Sequence, residues 1–274
     1  MSTLAVYLEE KRFTIVNDSM SYDNKRPGGF VSKTKTYPHL RCAINCMGLS
    51  KVRSDYEEFM KGTNAHDFNS LIEHTKENFF LFLETKYQLD VYPDFAPPES
   101  GLVSSIFIMG YSEVDRKMEA HIFYIYKDHM DHKIECTNGR VIYHPELSRE
   151  KEDQAKELAK KKYIRSERGD IKEDYLVAAL IIMNSDFKNR EPSSVPSGLE
   201  IQSTVISCEP DFYIKQSIPY RFPDFYKDML AIHDYSDEVR DQRADFKIFN
   251  KALTDEGVRI KYEGSNKGSD LLRP

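Results

Sequence analysis

The sequence predicts an α+β fold in which two β-sheets lie between outer helices. Three observations carry this. Extended and helical patterns come in separate runs (strands, two helices, strands, two helices, strands), whereas a doubly wound parallel sheet alternates strand and helix. The hydrophobic share of 40%, with 12% aromatic, allows a large packed core in a chain of 274 residues. The chain also opens on two short apolar runs, residues 4–8 and 13–16, separated by charged Glu9, Glu10, Lys11 and Arg12, which is the pattern of a β-hairpin.

The other elements follow in order. Residues 19–29 carry turn signals and read as a loop. Residues 30–37 alternate as a strand, with Val31, Lys33, Lys35 and Tyr37 on one face and Ser32, Thr34 and Thr36 on the other; Pro38 ends it. Residues 40–47 read as a buried strand closing on Gly48, and 55–60 as a short helix. The strongest helical pattern spans 68–87, where Phe68, Leu71, Ile72, Phe79 and Leu83 form an apolar face opposite Glu73, Lys76, Glu77, Glu84 and Lys86. Its run of aromatic and leucine residues from Phe79 to Leu83 suits a core or a subunit contact. Residues 103–111 and 120–126 form an antiparallel pair, and 133–136 with 140–143 a further hairpin around Asn138-Gly139.

Ser148 caps a helix running to 162, with acids in its first turn, and Asp170 caps another running to 183. Residues 199–207 and 211–215 are the last strands. From Pro219 the composition turns to a charged stretch that suits amphipathic helix and a frayed end. The organisation expected is one domain over residues 1–217 and a partly helical C-terminal extension over 218–274.

Composition excludes several classes of function. Lys plus Arg number 39 against 45 Asp plus Glu, a net charge of -6 with no basic block, so nucleic acid is not an expected partner. No apolar stretch approaches about 18 residues and the start has no signal-peptide pattern, so no membrane is expected and a cytoplasmic location is. Cys42, Cys46, Cys136 and Cys208 form no CxxC pair and read as reduced thiols. His121, His129, His132 and His144, with Asp128 and Asp131, match no metal-ligand spacing; the 127–133 stretch reads as a solvated loop and no metal is expected. No G-x-G-x-x-G or P-loop occurs, and no cofactor is expected.

The chemistry points to the chain start. A hairpin over residues 4–16 brings Ser2 close to Asp18. Ser2 is small enough for an aminopeptidase to remove Met1, leaving a hydroxyl nucleophile that carries its own free amine. Beside Ser2 and Asp18-Ser19 stand Val31-Ser32-Lys33-Thr34, Cys46-Met47-Gly48, Ile106-Phe107-Ile108-Met109-Gly110-Tyr111, the stretch 178–186 ending on Asp186, and Ser197-Gly198. In this order they resemble the proteasome-like branch of the N-terminal nucleophile hydrolases, which includes proteasome β-type subunits, the HslV peptidase and the Anbu proteins. The resemblance covers roughly residues 2–215. It implies a four-layer αββα sandwich, assembly into a ring or stacked ring of identical subunits, and hydrolysis of a peptide or amide substrate.

The resemblance also implies roles. Ser2 is nucleophile, Lys33 lowers the pKa of the hydroxyl and amine, Asp18 orients Lys33, the Gly48 amide donates to the oxyanion, and Asp186 with Ser197 supports the terminal amine. Thr3 stays open as a rival nucleophile, and Lys35 as a rival to Lys33. The alternative function is a catalytically silent structural or assembly subunit of the same fold.

Overall fold

The computed structural model describes residues 3–23, 26–88, 90–93, 95, 100–135, 137, 139–160, 171–188, 198–209 and 211–222, with backbone alone at 22–23, 26–30, 171 and 186–188. The chain divides into two compact units, Met1–Ile232 and His233–Pro274, and every described residue belongs to the first. The amphipathic helices expected beyond Pro219 fall almost wholly outside the described residues.

Strands β1 (Leu4–Leu8) and β2 (Arg12–Asp18) form the opening hairpin, paired from Leu4↔Asn17 to Leu8↔Phe13. In place of the expected loop, β3 (Met20–Asp23) and β4 (Arg26–Phe30) make a small antiparallel ribbon. Strands β5 (Thr34–Tyr37) and β6 (Cys42–Gly48) follow, then helix α1 (Ser50–Gly62), longer at both ends than its apolar pattern predicts. The predicted helix over 68–87 is present as α2 (Phe68–His74) and α3 (Phe80–Tyr87), joined by a π-helical segment, Thr75–Phe79. Asp67 opens it with a capping box, accepting from the Ser70 amide.

Strands β7 (Ser104–Ser112), β8 (Lys117–Ile125), β9 (Met130–Glu135) and β10 (Arg140–His144) come next, then α4 (Arg149–Lys160), α5 (Ile171–Lys188), β11 (Glu200–Ser207) and β12 (Tyr213–Arg221). One five-stranded sheet has the order β10-β1-β2-β11-β12 and the other β5-β6-β7-β8-β9.

Three apolar clusters separate the layers. Leu4, Val6, Leu8, Phe13 and Ile15 meet Ala43, Met47, Phe107, Met109 and Ile122 between the sheets. Phe68, Leu71, Phe79 and Leu83 of the first helical block cover Ile44, Ile106, Ile108 and Phe123 on the outside of the second sheet. Leu176, Val177, Leu180 and Met183 of α5 cover Ala5, Val16 and Ile201 on the outside of the first. Strand alternation thus sends each sheet's side chains to two apolar contacts, and the result is an αββα sandwich. Among the described residues no helix is long and apolar enough to cross a membrane.

Two further expectations fail. Strands β9 and β10 are not a hairpin, because β9 pairs with β8 and β10 with β1, in different sheets. Gly139 does take the positive φ of a turn, +83°, but its amide donates to Leu8 O and the turn carries the chain across the sandwich. An Asn-Gly pair sets a turn; it does not choose which open edge the next strand will join. The 127–133 histidine stretch is also not simply a solvated loop. His121, buried under Phe68, has Nε2 3.1 Å from Glu119 Oε2 and Nδ1 2.9 Å from His132 Nε2 on β9.

With His121 Nε2 donating to the Glu119 carboxyl oxygen, His132 donates to His121 Nδ1. Burial pushes both imidazole pKa values down, that of His132 to about 4. The ordinary value, about 6.5, applies to the unfolded chain. The unfolded state therefore takes up protons that the folded state refuses, and stability present above pH ~6.5 is lost as pH falls toward 4. The melting temperature of the wild type should thus fall more steeply between about pH 7.5 and 5 than that of a His132→Gln variant, followed by circular dichroism. Parallel slopes would show that the pair excludes no proton.

Candidate active site

The hairpin register sets the site. Its turn closes with the Glu9 amide donating to Arg12 O at 2.9 Å, and β2 extends beyond β1 so that Asp18 faces Thr3. Asp18 is fully buried. Its Oδ1 accepts from the Thr3 amide at 3.1 Å, the Thr3 hydroxyl at 2.8 Å and Lys33 Nζ at 2.5 Å. Its Oδ2 accepts from the amides of Met20 and Gly198, both at 3.3 Å. Ser19 locks the next residue in place: its amide donates to Glu200 O, its hydroxyl accepts from the Glu200 amide, and its carbonyl accepts from the Val31 amide.

Lys33 lies in the irregular stretch between β4 and β5, and that break decides its direction. Had residues 30–37 formed one strand, Lys33 and Lys35 would share a face. Instead Lys33 turns inward to Asp18 and is 4% exposed, while Lys35 reaches Glu57 on α1 at 2.6 Å. Arg53 holds the break by donating to Ser32 O at 2.6 Å and to Glu57 at 3.0 Å. Burial lowers the Lys33 pKa below the ordinary lysine value, with the Asp18 charge and hydrogen bond opposing.

A polar chain joins the two sheets beside this pair. Asn45 Nδ2 donates to Thr34 Oγ1 at 2.9 Å, Thr34 Oγ1 donates to Asn17 Oδ1 at 2.7 Å, and Asn17 Nδ2 donates to the Asp18 carbonyl at 3.1 Å. All three side chains are buried. Three residues after Asn45, about 10 Å along an extended strand, Gly48 closes β6 with φ +111°. A Cβ there would sit 2.6 Å from Val103 O and 2.8 Å from Ser104 Cα, so only glycine fits. The Ser104 hydroxyl donates to Met47 O at 2.6 Å and fixes the peptide just before it.

Of the residues singled out in the sequence, Asp18 and Lys33 are brought into contact, and Gly48 ends the strand that carries Asn45. Ser2 and Ser197 lie outside the described residues, and Asp186 falls in α5 with its side chain outside them. Thr3, read in the sequence as a rival nucleophile, is a buried double donor to Asp18. Sequence reasoning placed Ser197-Gly198 among the matching segments but gave Gly198 no role of its own, and it missed the chain Asn17–Thr34–Asn45. Asn45 did carry a signal, as an amide side chain in the middle of an apolar strand run, whereas Asn17 stands directly after the apolar run 13–16. The four histidines do not gather, since His144 stands opposite Leu4 in the other sheet and His129 bonds Asp128.

No protein-family model and no curated protein matches this sequence. Among solved structures, the chain is similar to Anbu (ancestral beta-subunit) from Yersinia bercovieri, at 11% identity over 97% of this chain and 100% of that one, with a TM-score of 0.47. It is likewise similar to Anbu from Hyphomicrobium sp. strain MC1, at 10% identity over 96% and 100% with a TM-score of 0.49. A Gly-1 mutant of Anbu from the same organism matches at 10% identity over 90% and 100%, also with a TM-score of 0.49.

Replacing Asp18 with Asn removes the one negative charge that meets the buried Lys33 ammonium among the described residues, and one amide oxygen cannot serve all five donors. An uncompensated buried charge costs about 3–5 kcal/mol. Urea unfolding of Asp18→Asn should show a loss of that order, and a loss below about 1 kcal/mol would mean that the pair is not structurally coupled.

Proposed function

We propose that this chain is a proteasome-like N-terminal nucleophile hydrolase that cleaves peptide or amide bonds, with Ser2 as nucleophile once Met1 has been removed. The observation that supports it most is the buried Asp18–Lys33 pair bonded to Thr3, the residue directly after Ser2. A charge pair is costly to bury, and this one is built against the first residues of the chain.

In this reading the α-amine of Ser2 takes the proton of its own hydroxyl as the oxygen attacks the substrate carbonyl. The ammonium of Lys33 favours the alkoxide by its charge, and Asp18 keeps Lys33 oriented. The oxyanion that forms takes a hydrogen bond from the Gly48 amide, a contribution of about 3 kcal/mol. The C–N bond then breaks, the leaving amine takes the proton, and water hydrolyses the acyl-serine to release the acid and restore Ser2. Asp186 and Ser197 are proposed to support the terminal amine. Assembly into a ring of identical subunits belongs to the same reading, and a strict monomer in solution would count against it.

The second reading, a silent structural or assembly subunit, has its own support: every donor to Asp18 also ties a segment of the fold together, so the pair has a structural use without any chemistry. Intact mass separates the two. A hydrolase requires loss of Met1, and Ser2→Ala should then reduce turnover of peptide amides by about 1,000-fold or more, with Lys33→Ala comparably inactive. Retention of Met1 in every molecule, or unchanged turnover in Ser2→Ala, would favour the silent subunit.

A further inference from the structure

At the chain start Thr3 is the described hydroxyl residue, and its surroundings do not suit attack on a substrate. Its side chain is fully buried and its hydroxyl proton is committed to Asp18 Oδ1 at 2.8 Å. Swinging it out to meet a carbonyl would strip a bond from a buried carboxylate. Its amide is committed to the same oxygen. As a β-branched residue it has few χ1 rotamers, so the hydroxyl is held there at little further entropic cost.

The sharing of one oxygen is what matters. Three donors converge on Oδ1, two from Thr3 and one from Lys33, while the donors to Oδ2 are both longer, at 3.3 Å. We propose that Thr3 is a positioning residue, whose hydroxyl competes with Lys33 for Asp18 Oδ1 and so limits how firmly the carboxylate holds the ammonium. This rests on the hydrolase reading only for its purpose: the less of the Lys33 charge Asp18 neutralises, the more of it acts on Ser2.

The direction follows from the charges at hand. Asp18, from β2, is the charged group acting on Lys33, and it works against burial, which lowers the Lys33 pKa. Lys35 of β5 and Arg53 of α1 both pair with Glu57. Density that Oδ1 gives to the Thr3 hydroxyl is withheld from Lys33. Deleting that hydroxyl returns it, and Lys33 then keeps its proton to higher pH.

The test uses the full chain with Thr3→Val, which keeps the shape and loses the donor, and Thr3→Ser, which keeps the donor. The Lys33 side chain is titrated by carbon NMR, its signal assigned by its loss in Lys33→Arg. The midpoint should rise by about half a pH unit or more in Thr3→Val and stay at the wild-type value in Thr3→Ser. An unmoved midpoint in Thr3→Val, or an equal rise in both variants, overturns the proposal. If Thr3→Val does not fold, Thr3→Cys, a weaker donor, should give a smaller rise, and a wild-type midpoint there overturns it equally.

This readout does not need activity. A wild type that turns over no amide removes the hydrolase reading and leaves the titration to decide on Thr3. A covalent acyl adduct mapped to residue 3 overturns the Thr3 proposal and, while keeping amide hydrolysis, moves the nucleophile from Ser2.

Discussion

The Asp18 carboxylate is the group on which the described fold depends. An ionised carboxyl out of reach of water is costly unless its oxygens are satisfied, and this one is satisfied from four separate parts of the chain: the start at Thr3, the first residue of β3, the break before β5, and the turn at Gly198, 180 residues away. Each donor can reach it only if its own segment is in place. The hairpin must be in register, the β4–β5 break must turn Lys33 inward, and β11 must lie beside β2. A single desolvated charge thus specifies the meeting of elements that apolar packing alone would leave free to slide.

The apolar clusters do different work. They set the layers, since side chains on each face of each sheet find an apolar partner, and they tolerate substitution as long as volume is kept. What they do not set is the alignment of one sheet over the other near the chain start. That falls to Asn17, Thr34 and Asn45, a donor chain running from β6 through β5 into β2. Hydrogen bonds are directional and buried ones are costly to lose, about 1–3 kcal/mol for each orphaned group. Three short polar side chains between the sheets therefore fix a position that a wholly apolar interface would leave soft.

This division explains what was legible in the sequence. Periodicity reports which residues face apolar neighbours, so the opening hairpin, the long helical stretch over 68–87, helices α4 and α5, the β7–β8 pair and the sandwich order could all be read from it. The hairpin brought Asp18 toward the chain start, but the Asp18–Lys33 partnership came only from the resemblance, and the choice between Lys33 and Lys35 remained. That choice turns on the irregular backbone at 31–33, which alternation cannot show, since Val31, Lys33 and Lys35 alternate without interruption. The destination of β10 was not legible, because pairing depends on which sheet edge is open. The segment Ser197-Gly198 was picked out, but the role of Gly198 was not legible for the plainest reason: it is an amide hydrogen, which every residue but proline has, placed by a fold that joins it to residue 18.

The turn that carries Gly198 is held in an unfavourable shape, and the cost can be weighed. Leu199 has φ +62°, a region where a bulky side chain loses about 1–2 kcal/mol. Gly48 also has positive φ, but there a side chain is barred by contact with the neighbouring strand. At Leu199 the side chain is what offsets the strain: it is fully buried, worth about 1.5–3 kcal/mol for leucine, and its carbonyl accepts from the Phe222 amide at 3.0 Å. The two magnitudes are close, so the strained turn persists while it is packed and bonded on both sides. Glycine at 199 would relieve the backbone and lose the burial, leaving the turn free to take other shapes. A leucine in this conformation therefore holds the Gly198 amide on Asp18 Oδ2 by its side chain, and the far end of the carboxylate is kept by packing as much as by hydrogen bonding.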